Sequence, residues 1–447
     1  MDNKFHKNYF LVLWLLHLAL GFIIYNFKVI SFAYSTAIII IGTYQIINNK
    51  NKNNEVLFWA GYIVAAEVFL RMTKGNIGNE FAKYCVIIFS LFGIYFNGFS
   101  KRAFIYILFL IFLIPGAIYG AFELGFEFNV RKAIIFNLLG AICLGIASIY
   151  FIDKQITIKD IDKLTQYMLL PLSAMTIYVL LYNPSIREVI TGTDSNAATS
   201  GGFGPNQVST VFGLAMFLSF ARFLLFSKTL FWQVFHIILL AIFTFRGFIT
   251  FSRGGVITGI VMIVSLVLFT YPKINVKGKA KIGLTAIILA FLGLGIFIYG
   301  INQSGGMLLN RYKGEDALGR TKSSKFSGRE ELAETEISMF LNNPITGIGV
   351  GKSKESRIEL LGLQTASHSE ITRMLSEHGL LGVIDLIILF VMPFFVYFTS
   401  EKNNIFLLSF FLFWLLTINH AAMRIAAPAF IYSLSLLRID FTNPKEQ

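Results

Sequence analysis

Long apolar runs recur along the whole chain, and they restrict its fold more than any other feature of the sequence. Most are close to the ~20 residues that a helix needs to cross a ~30 Å hydrocarbon layer. An open strand edge would leave backbone groups unpaired in lipid, so runs of this length predict helices. The 447 residues are 55% hydrophobic and 14% charged, which is unusual for a soluble domain. The sequence therefore predicts an all-α polytopic membrane protein.

The hydropathy pattern predicts about 12 to 14 transmembrane helices. The expected spans are 8–27, 29–48, 56–72, 82–99, 103–122, 133–152, 165–182, 206–227, 232–250, 255–272, 282–300, 379–398, 405–419 and 421–438. Lys4 and Lys7 precede the first run, as in a secretory signal. However, Tyr25-Asn26-Phe27-Lys28 offers no small-residue cleavage site, so we expect a retained span. Three regions follow: helices and short loops over 1–300, a helical outer loop domain over 301–378, and the last helices over 379–447.

The basic residues of the short loops predict which side of the membrane each loop occupies. Placing both termini in the cytoplasm puts five basic loops inside. Their residues are Lys50, Lys52, Lys101, Arg102, Lys154, Lys159, Lys163, Lys273, Lys277, Lys279, Lys281 and Lys402. The segments 183–205 and 301–378 then lie outside. The net charge of +13 is mostly explained by these inner loops facing anionic lipid, so we expect no nucleic-acid partner.

The polar chemistry is concentrated in the outer loop 301–378. It carries ten Lys or Arg and ten Asp or Glu, so it is not a simple basic patch. Basic residues outside also oppose the positive-inside rule that the rest of the chain follows. We therefore expect these residues to have a function at the outer face.

A capping-box pattern in this loop draws attention to Arg329. Ser327 and Glu330 have the Ser-x-x-Glu spacing, and the residues 331–341 have an amphipathic pattern that ends at Asn342-Asn343-Pro344. Arg329 is thus expected in the first helical turn, where its guanidinium and free backbone donors could bind a phosphate. The alternative is a surface pair with Glu330 or Glu334.

The same spacing recurs at Ser367 and Glu370 and predicts a helix that places His368 in its first turn. The positive end of the helix dipole would keep that imidazole neutral, the form that accepts a proton. His368 is therefore a candidate general base. The alternative is a solvated surface histidine.

Further cationic candidates flank the outer segments. Ser252-Arg253-Gly254-Gly255 is expected to form an outer turn, with Arg246 about two helical turns earlier. Arginines at membrane depth usually face a partner or a polar cavity, although both could instead reach headgroup phosphates. Asn206 can cap the helix that follows the glycine-rich residues 201–204. Other substrate-binding candidates are Arg187, Arg311 and Arg320.

Polar residues inside the spans have structural explanations. Glu67 and Arg71 are spaced i, i+4 and are expected to neutralise each other. His17 and His236 are expected to be interhelical hydrogen-bond partners. His378 is interpreted as a helix-end or interfacial residue.

Several motif-like strings predict no chemistry. Asp160-Ile161-Asp162 lies among cytoplasmic lysines and is interpreted as a solvated connector. The glycines of 347–351 lack the strand and helix of a nucleotide cradle. Cys85 and Cys143 fall in spans, which argues against a disulfide framework. No Cys/His cluster has metal-ligand spacing, so we expect a metal-independent site without a cofactor.

A family resemblance emerges from short motifs in a fixed order. They are Gly202-Phe203-Gly204-Pro205-Asn206, Ser252-Arg253-Gly254-Gly255, Gly328-Arg329-Glu330, Asn343-Pro344-Ile345-Thr346-Gly347-Ile348-Gly349, and His368-Ser369 followed by Glu377-His378-Gly379-Leu380-Leu381-Gly382. In this order and spacing, the second half of the chain resembles the O-antigen ligase and O-antigen polymerase superfamily. His368-Ser369 departs from the family's usual His-Asn pair, and fourteen spans would exceed its usual number.

The resemblance implies a metal-independent glycosyltransferase of the bacterial inner membrane. Its donor would be a glycan linked to undecaprenyl pyrophosphate, with His368 as base in a periplasmic loop and Arg253 and Arg329 holding the pyrophosphate. The acceptor would be lipid A core, a growing glycan or a protein hydroxyl. We interpret the chain as a ligase that inverts the anomeric centre, and an O-antigen or polysaccharide polymerase or a protein O-oligosaccharyltransferase remains open. A transporter or flippase, or a scaffolding membrane protein, is the alternative outside this superfamily.

Overall fold

The computed structural model describes residues 2–125, 129–183, 185–190, 192–195, 197–322, 329–361, 367–400 and 404–441. Within these ranges the chain forms eighteen α-helices and one small sheet. The helices are α1 (Asp2–Asn26), α2 (Val29–Asn48), α3 (Glu55–Met72), α4 (Phe81–Asn97), α5 (Phe104–Glu123), α6 (Val130–Phe151), α7 (Ile158–Tyr182), α8 (Ile186–Val189), α9 (Pro205–Ala221), α10 (Leu230–Ile249), α11 (Arg253–Thr270), α12 (Val276–Gln303), α13 (Met307–Lys313), α14 (Arg329–Asn342), α15 (Lys352–Leu361), α16 (Glu370–Phe398), α17 (Leu407–His420) and α18 (Ala427–Leu434). Strands β1 (Gln155–Thr157) and β2 (Arg438–Asp440) pair with each other.

Ten helical segments in the described part of the chain are long and apolar enough to cross a membrane. They are Tyr9–Asn26, Val29–Asn48, Lys101–Glu123, Val130–Phe151, Ile158–Tyr182, Ala198–Phe226, Leu230–Ile249, Arg253–Thr270, Val276–Gln303 and Glu370–Phe398. Two shorter apolar helices, α4 and α17, coincide with other expected spans. The prediction of an all-α polytopic membrane protein is therefore confirmed. The division at residues 300 and 378 by membrane side stays a prediction.

The last expected span, 421–438, is wrong. Only Ala427–Leu434 is helical, and eight residues at ~1.5 Å each cover about 12 Å, well short of a bilayer core. The apolar side chains of this segment are buried against protein, with Phe430 and Leu436 both at 0% exposure. A buried protein core and a lipid-facing helix produce the same apolar run, so hydropathy alone could not separate them.

The chain divides into two compact units. Unit 1 comprises Met1–Cys85, Thr157–Ser323 and Phe441–Gln447, and unit 2 comprises Val86–Ile156 and Ser324–Asp440. In unit 1, α7 packs against α1 and α3, while α9 packs against α10 and α11. Helices α9 and α11 run parallel and very close together. A Cβ atom added at Gly259 would lie only 2.6 Å from the carbonyl oxygen of Gly213, so the contact requires glycine.

The polar residues inside unit 1 behave largely as predicted. Glu67 pairs with Arg71 at 2.7 Å, and His17 Nε2 lies 2.6 Å from the Tyr62 hydroxyl across two helices. Arg222 Nε donates to Nε2 of His236 at 3.0 Å, which confirms His236 as a partner between segments.

The Asp160-Ile161-Asp162 string is not a simple solvated connector. Asp160 completes a capping box with Thr157 at the start of α7. Asp162 Oδ1 accepts from Arg222 Nη1 at 2.5 Å. Both carboxylates have structural partners, and the sequence alone did not reveal them.

In unit 2, helix α16 packs against α5 and α14, and it breaks at Gly379. Gly379 has φ 59° and ψ −135°, which is outside the helical region. The carbonyls of Ser376 and Glu377 accept instead from the backbone N–H groups of Ile348 at 2.8 Å and Gly349 at 3.2 Å. A break in a membrane helix is tolerated when nearby groups satisfy the released backbone, as this loop does.

The glycine-rich segment 347–351 is built for this backbone contact. Gly347 and Gly349 have φ of 66° and 89°, where side chains are strained. A Cβ at Gly347 would lie 2.6 Å from the Glu377 carbonyl carbon, and one at Gly349 would lie 2.5 Å from the amide of Gly120. The segment is followed by α15 and has no strand before it, so it differs from a nucleotide-binding loop.

Replacing Gly379 by Ala should destabilise the protein by about 1 to 3 kcal/mol through backbone strain alone. The new Cβ would also lie 2.6 Å from both the Gly347 amide and the Ile345 carbonyl oxygen. Thermal unfolding in detergent would measure the change. Gly293→Ala is the matched control, because Gly293 lies in α12 with nothing within 4 Å of the added Cβ. Equal stability of the two variants would contradict this account of the break.

Candidate functional site

His368 lies in a turn just before α16, not in its first helical turn. The N-cap is Ser369, whose hydroxyl accepts from the Thr372 amide at 3.5 Å. Ser367, the predicted cap, instead places its hydroxyl 2.8 Å from the Ser369 carbonyl. Either serine could cap this helix, and the structure uses Ser369. The prediction that His368 lies in the first helical turn, where the helix dipole would keep its imidazole neutral, is therefore wrong.

A buried ion network underlies this turn. Arg373 pairs with Glu370 three residues before it and with Glu377 at 2.9 Å four residues after it. Its guanidinium also donates to the Asn137 carbonyl at 2.8 Å, which ties α16 to α6. These three charged residues are no more than 5% exposed. Buried charges must be paired and hydrogen-bonded to persist, and each of them is.

A second buried pair, Arg357 with Glu336, supports the same turn. Glu336 accepts from the Thr372 hydroxyl at 2.5 Å and from the Ser367 hydroxyl at 3.2 Å. The i, i+3 and i, i+4 spacing of Glu370, Arg373 and Glu377 was visible in the sequence. The partnership of Arg357 and Glu336, 21 residues apart, was not.

The loop between α17 and α18 holds the His368 turn from the other side. The amide of Ala422 donates to the His368 carbonyl at 3.2 Å. Arg424 Nη2 donates to the Ser367 carbonyl at 3.0 Å, and the Ser369 hydroxyl donates to Oδ1 of Asn419 at 3.2 Å. The expected span 421–438 included Arg424, so the sequence did not predict this residue to be part of the site. An arginine within an apolar run was the signal that could have identified it.

A small open cleft adjoins the turn, and we call it the His368 cleft. It is lined by Phe136, Asn137, Ser367, Glu370, Arg373, Ala422, Met423 and Arg424. Burial lowers the pKa of Arg424, the Glu370 carboxylate opposes that shift, and Arg373 adds to it. The cleft thus places guanidinium donors, a carboxylate acceptor, an amide and a hydroxyl beside the candidate base.

Arg329 is the first described residue of α14, and α14 ends at Asn342. Its side chain, Ser327 and Gly328 lie outside the described residues. The amphipathic pattern places Leu332 and Ile337 on the same apolar face of α14, but the structure buries a different set of residues. Leu332, Glu336 and Met339 are buried, whereas Ile337 is 42% exposed. Glu336 takes an inward position because its partner Arg357 is also buried.

In unit 1, Arg253 is the first residue of α11, and a tight turn presents it. Ser252 donates from its hydroxyl to Asn206 Oδ1 at 2.8 Å, and Ser209 donates to the Ser252 carbonyl at 2.6 Å. Arg311 Nε donates to the carbonyl of Phe251 at 3.0 Å. The structure therefore brings Asn206, Arg253 and Arg311 to one turn.

Asn206 does not cap α9, contrary to prediction. Gly204 is the N-cap and Pro205 the first helical residue, so Asn206 lies in the first turn with its side chain bonded to Ser252. Neither Gly204 nor Ser252 makes a side-chain cap. The first-turn backbone N–H groups of the parallel helices α9 and α11 therefore lie near one another, next to Arg253.

The remaining predicted arginines are not gathered at this turn. Arg320 pairs with Asp316 at 2.8 Å on the surface, where the backbone N–H of Arg320 lowers the pKa of Asp316. Arg187 is exposed on the short helix α8. Arg246 is 2% exposed and donates to the Val179 carbonyl at 2.6 Å.

Arg311 has a second link within unit 1. It pairs with Asp194 at 3.3 Å, and Lys322 reaches the same carboxylate at 2.6 Å. Burial raises the pKa of the neighbouring Tyr312, while Arg253 and Arg311 act in the opposite direction. The cations next to Arg253 are thus held by carbonyl and carboxylate contacts.

Arg373→Met should destabilise the protein strongly, because it leaves the buried carboxylates of Glu370 and Glu377 without their counter-charge. Breaking such a pair typically costs about 3 to 5 kcal/mol. Thermal unfolding in detergent would measure the loss. Arg320→Met removes an exposed pair and should cost at most about 1 kcal/mol. Similar losses in both variants would show that Arg373 is not the buried anchor described here.

Comparison with known families gives one result. Residues 236–387 match the family model described as O-Antigen ligase. No curated protein and no solved structure matches the chain. The matched residues include Arg246, Arg253, Arg329 and His368 and run through the break in α16. This match agrees with the order of the sequence motifs, and it shows that the segment 236–387 is similar to the O-antigen ligase family.

Proposed function

We propose that this chain is a glycosyltransferase of the bacterial inner membrane that acts as an O-antigen ligase. The observation that carries the proposal is the family match over residues 236–387, which contain His368, Arg253 and Arg329. The donor would be a glycan on undecaprenyl pyrophosphate, and the acceptor a hydroxyl of lipid A core. Both termini would be cytoplasmic and the loop 301–378 periplasmic. The ten apolar helical segments found in the described residues, each long enough to cross a membrane, support a membrane-embedded donor.

The proposed reaction is a single displacement. The acceptor oxygen forms a bond to the anomeric carbon of the donor sugar while the bond from that carbon to the diphosphate oxygen breaks. The acceptor proton passes to the imidazole of His368, and the bonding electron pair leaves with undecaprenyl pyrophosphate. His368 then releases the proton to water. The product has the inverted anomeric configuration, because no covalent enzyme intermediate forms.

Arg253 and Arg329 are proposed to stabilise the negative charge that grows on the leaving diphosphate. Arg253 is the first residue of α11, beside the start of α9, and first-turn backbone N–H groups of both helices are proposed to add to its guanidinium. Arg329 is the first described residue of α14, and the first turn of that helix is proposed to contribute in a similar role. Asn206 and Arg311 are proposed as substrate-binding residues, because both contact the residues that precede Arg253.

The other three predicted arginines, Arg187, Arg246 and Arg320, lie away from the turn that precedes Arg253. Arg320 already pairs with Asp316, so a phosphate would have to compete with that carboxylate. Arg246 is buried, and a ligand would reach it only after a local opening. Arg187 is exposed and accessible. Their contribution is proposed only as additional phosphate binding.

A polymerase or a protein O-oligosaccharyltransferase would use the same chemistry with a different acceptor. Envelope glycan from a deletion strain would distinguish these reactions. Uncapped lipid A core together with carrier-linked long polymer indicates a ligase. Single repeat units indicate a polymerase, and loss of glycan from protein indicates an oligosaccharyltransferase.

One observation favours a transporter as the second candidate. Helix α16 is interrupted at Gly379, and broken membrane helices are typical of secondary transporters. A transporter would move a carrier-linked glycan without cleaving it. Absence of free undecaprenyl pyrophosphate with every acceptor tested would therefore favour transport over transfer.

His368→Gln should lower the rate of glycan transfer about 10² to 10⁴-fold, because the variant keeps a polar side chain but loses the proton acceptor. Release of undecaprenyl pyrophosphate by the purified protein from a carrier-linked glycan and lipid A core would measure it. His17→Gln is the matched control, since His17 lies on α1 and contacts Tyr62. Transfer at the wild-type rate by a folded His368→Gln variant would refute the base assignment.

Arg253→Gln should lower kcat/KM for the donor about 10² to 10³-fold, because a charged donor to the leaving diphosphate is lost. Arg253→Lys should retain more activity, since it keeps the charge but not the planar fork. Arg102→Gln is the control, because Arg102 pairs with Asp153. An effect of Arg253→Gln no larger than that of the control would remove Arg253 from the proposed site.

If arginines supply the charge at the leaving group, transfer should continue in excess EDTA. The assay is the same release of undecaprenyl pyrophosphate, measured before and after chelation. Complete loss of activity that added Mg²⁺ or Mn²⁺ restores would replace the metal-independent mechanism with a metal-assisted one.

A further inference from the structure

The mechanism described above gives no role to the His368 cleft. Two residues of its wall are nevertheless hydrogen-bonded to the backbone of the turn that carries the proposed base. Its residue Ala422 donates to the His368 carbonyl, and its residue Arg424 donates to the Ser367 carbonyl. Ser367 also lines the cleft itself. A group that entered the cleft would thus lie beside the backbone of His368.

The charges around the cleft identify the kind of ligand that suits it. Arg373 and Arg424 are balanced by the carboxylates of Glu370 and Glu377, so the network carries no formal net charge. An unbalanced pair of arginines would attract a diphosphate, whereas this balanced set does not. A neutral ligand that both donates and accepts hydrogen bonds is the better match.

The other wall residues favour a sugar over a simple hydrogen-bonding solute. Asn137 and Ser367 add an amide and a hydroxyl, and Phe136 and Met423 add apolar surface. A saccharide presents hydroxyl groups together with apolar C–H faces, so mixed walls of this kind are complementary to it. The opening is small, so it suits one hydroxyl-bearing end of a sugar and not a glycan chain.

We propose that the His368 cleft is the subsite that binds the terminal sugar of the acceptor and presents its hydroxyl to His368. This inference rests on the proposed function, and it assigns the acceptor side of the reaction. Asn137 and Arg424 are the ligands at its two edges. Arg424 also positions the turn through the Ser367 carbonyl, whereas among the described residues the Asn137 side chain bonds within α6, to Ala133 at 3.1 Å.

This difference between Asn137 and Arg424 defines the test. Asn137→Ala alters the cleft without removing a contact to the His368 turn. It should raise KM for the lipid A core saccharide about tenfold and leave donor KM unchanged. Arg424→Gln should raise acceptor KM and lower kcat as well, and Arg424→Lys should restore part of kcat. Arg438→Gln, which removes a pairing to Asp153, is the control.

Binding of the saccharide separates failure of this inference from failure of the proposed function. Saturation-transfer NMR with full-length protein in detergent and lipid A core saccharide needs no catalysis. Loss of the signal in Asn137→Ala and Arg424→Gln, with Arg438→Gln unchanged, supports the subsite even if the wild-type protein transfers nothing. Unchanged acceptor KM and an unchanged signal in both cleft variants would overturn it, even if transfer is active.

Discussion

The buried guanidinium of Arg373 is the interaction on which the surroundings of His368 depend. It neutralises Glu370 and Glu377 within α16 and reaches the Asn137 carbonyl on α6. Glu370 in turn accepts from the Met423 amide at 3.4 Å, and Glu377 accepts from the Gly351 amide at 3.0 Å. One cation thus connects the start of α16 to three separate segments. Such a network is expensive to desolvate, so it is stable only when every member is satisfied.

Sequence analysis identified the class of fold and most helix positions, because membrane helices are specified by length and apolarity. It also predicted a helix that contains Arg329 and stops near Asn342, where the stop signal is local. It failed at 421–438, where burial in protein imitates a span. Local pattern also misplaced His368 by selecting Ser367 as the cap when Ser369 was available two residues later.

The environment of His368 could not be derived from sequence for a different reason. Its supports are long-range: Arg424 is 57 residues from Ser367, and Asn137 is 236 residues from Arg373. No periodicity encodes such contacts in a single sequence. The motifs that suggested the family include the two glycine-containing strings that interlock at Gly379, although their spacing alone gave no reason for that contact.

The carbonyls of Ser376 and Glu377, next to the break in α16, accept from main-chain amides of the glycine segment. Ile348 and Gly349 donate these two bonds through their amides, so the bonds do not depend on the side chain at position 348. The positions with left-handed backbone, Gly347, Gly349, Gly351 and Gly379, are restricted by the geometry. Exposed positions of this connection, such as Ile345, are therefore free to vary in side-chain chemistry. Divergent chains could remodel the surface above α16 and keep the same anchoring of its N-terminal half.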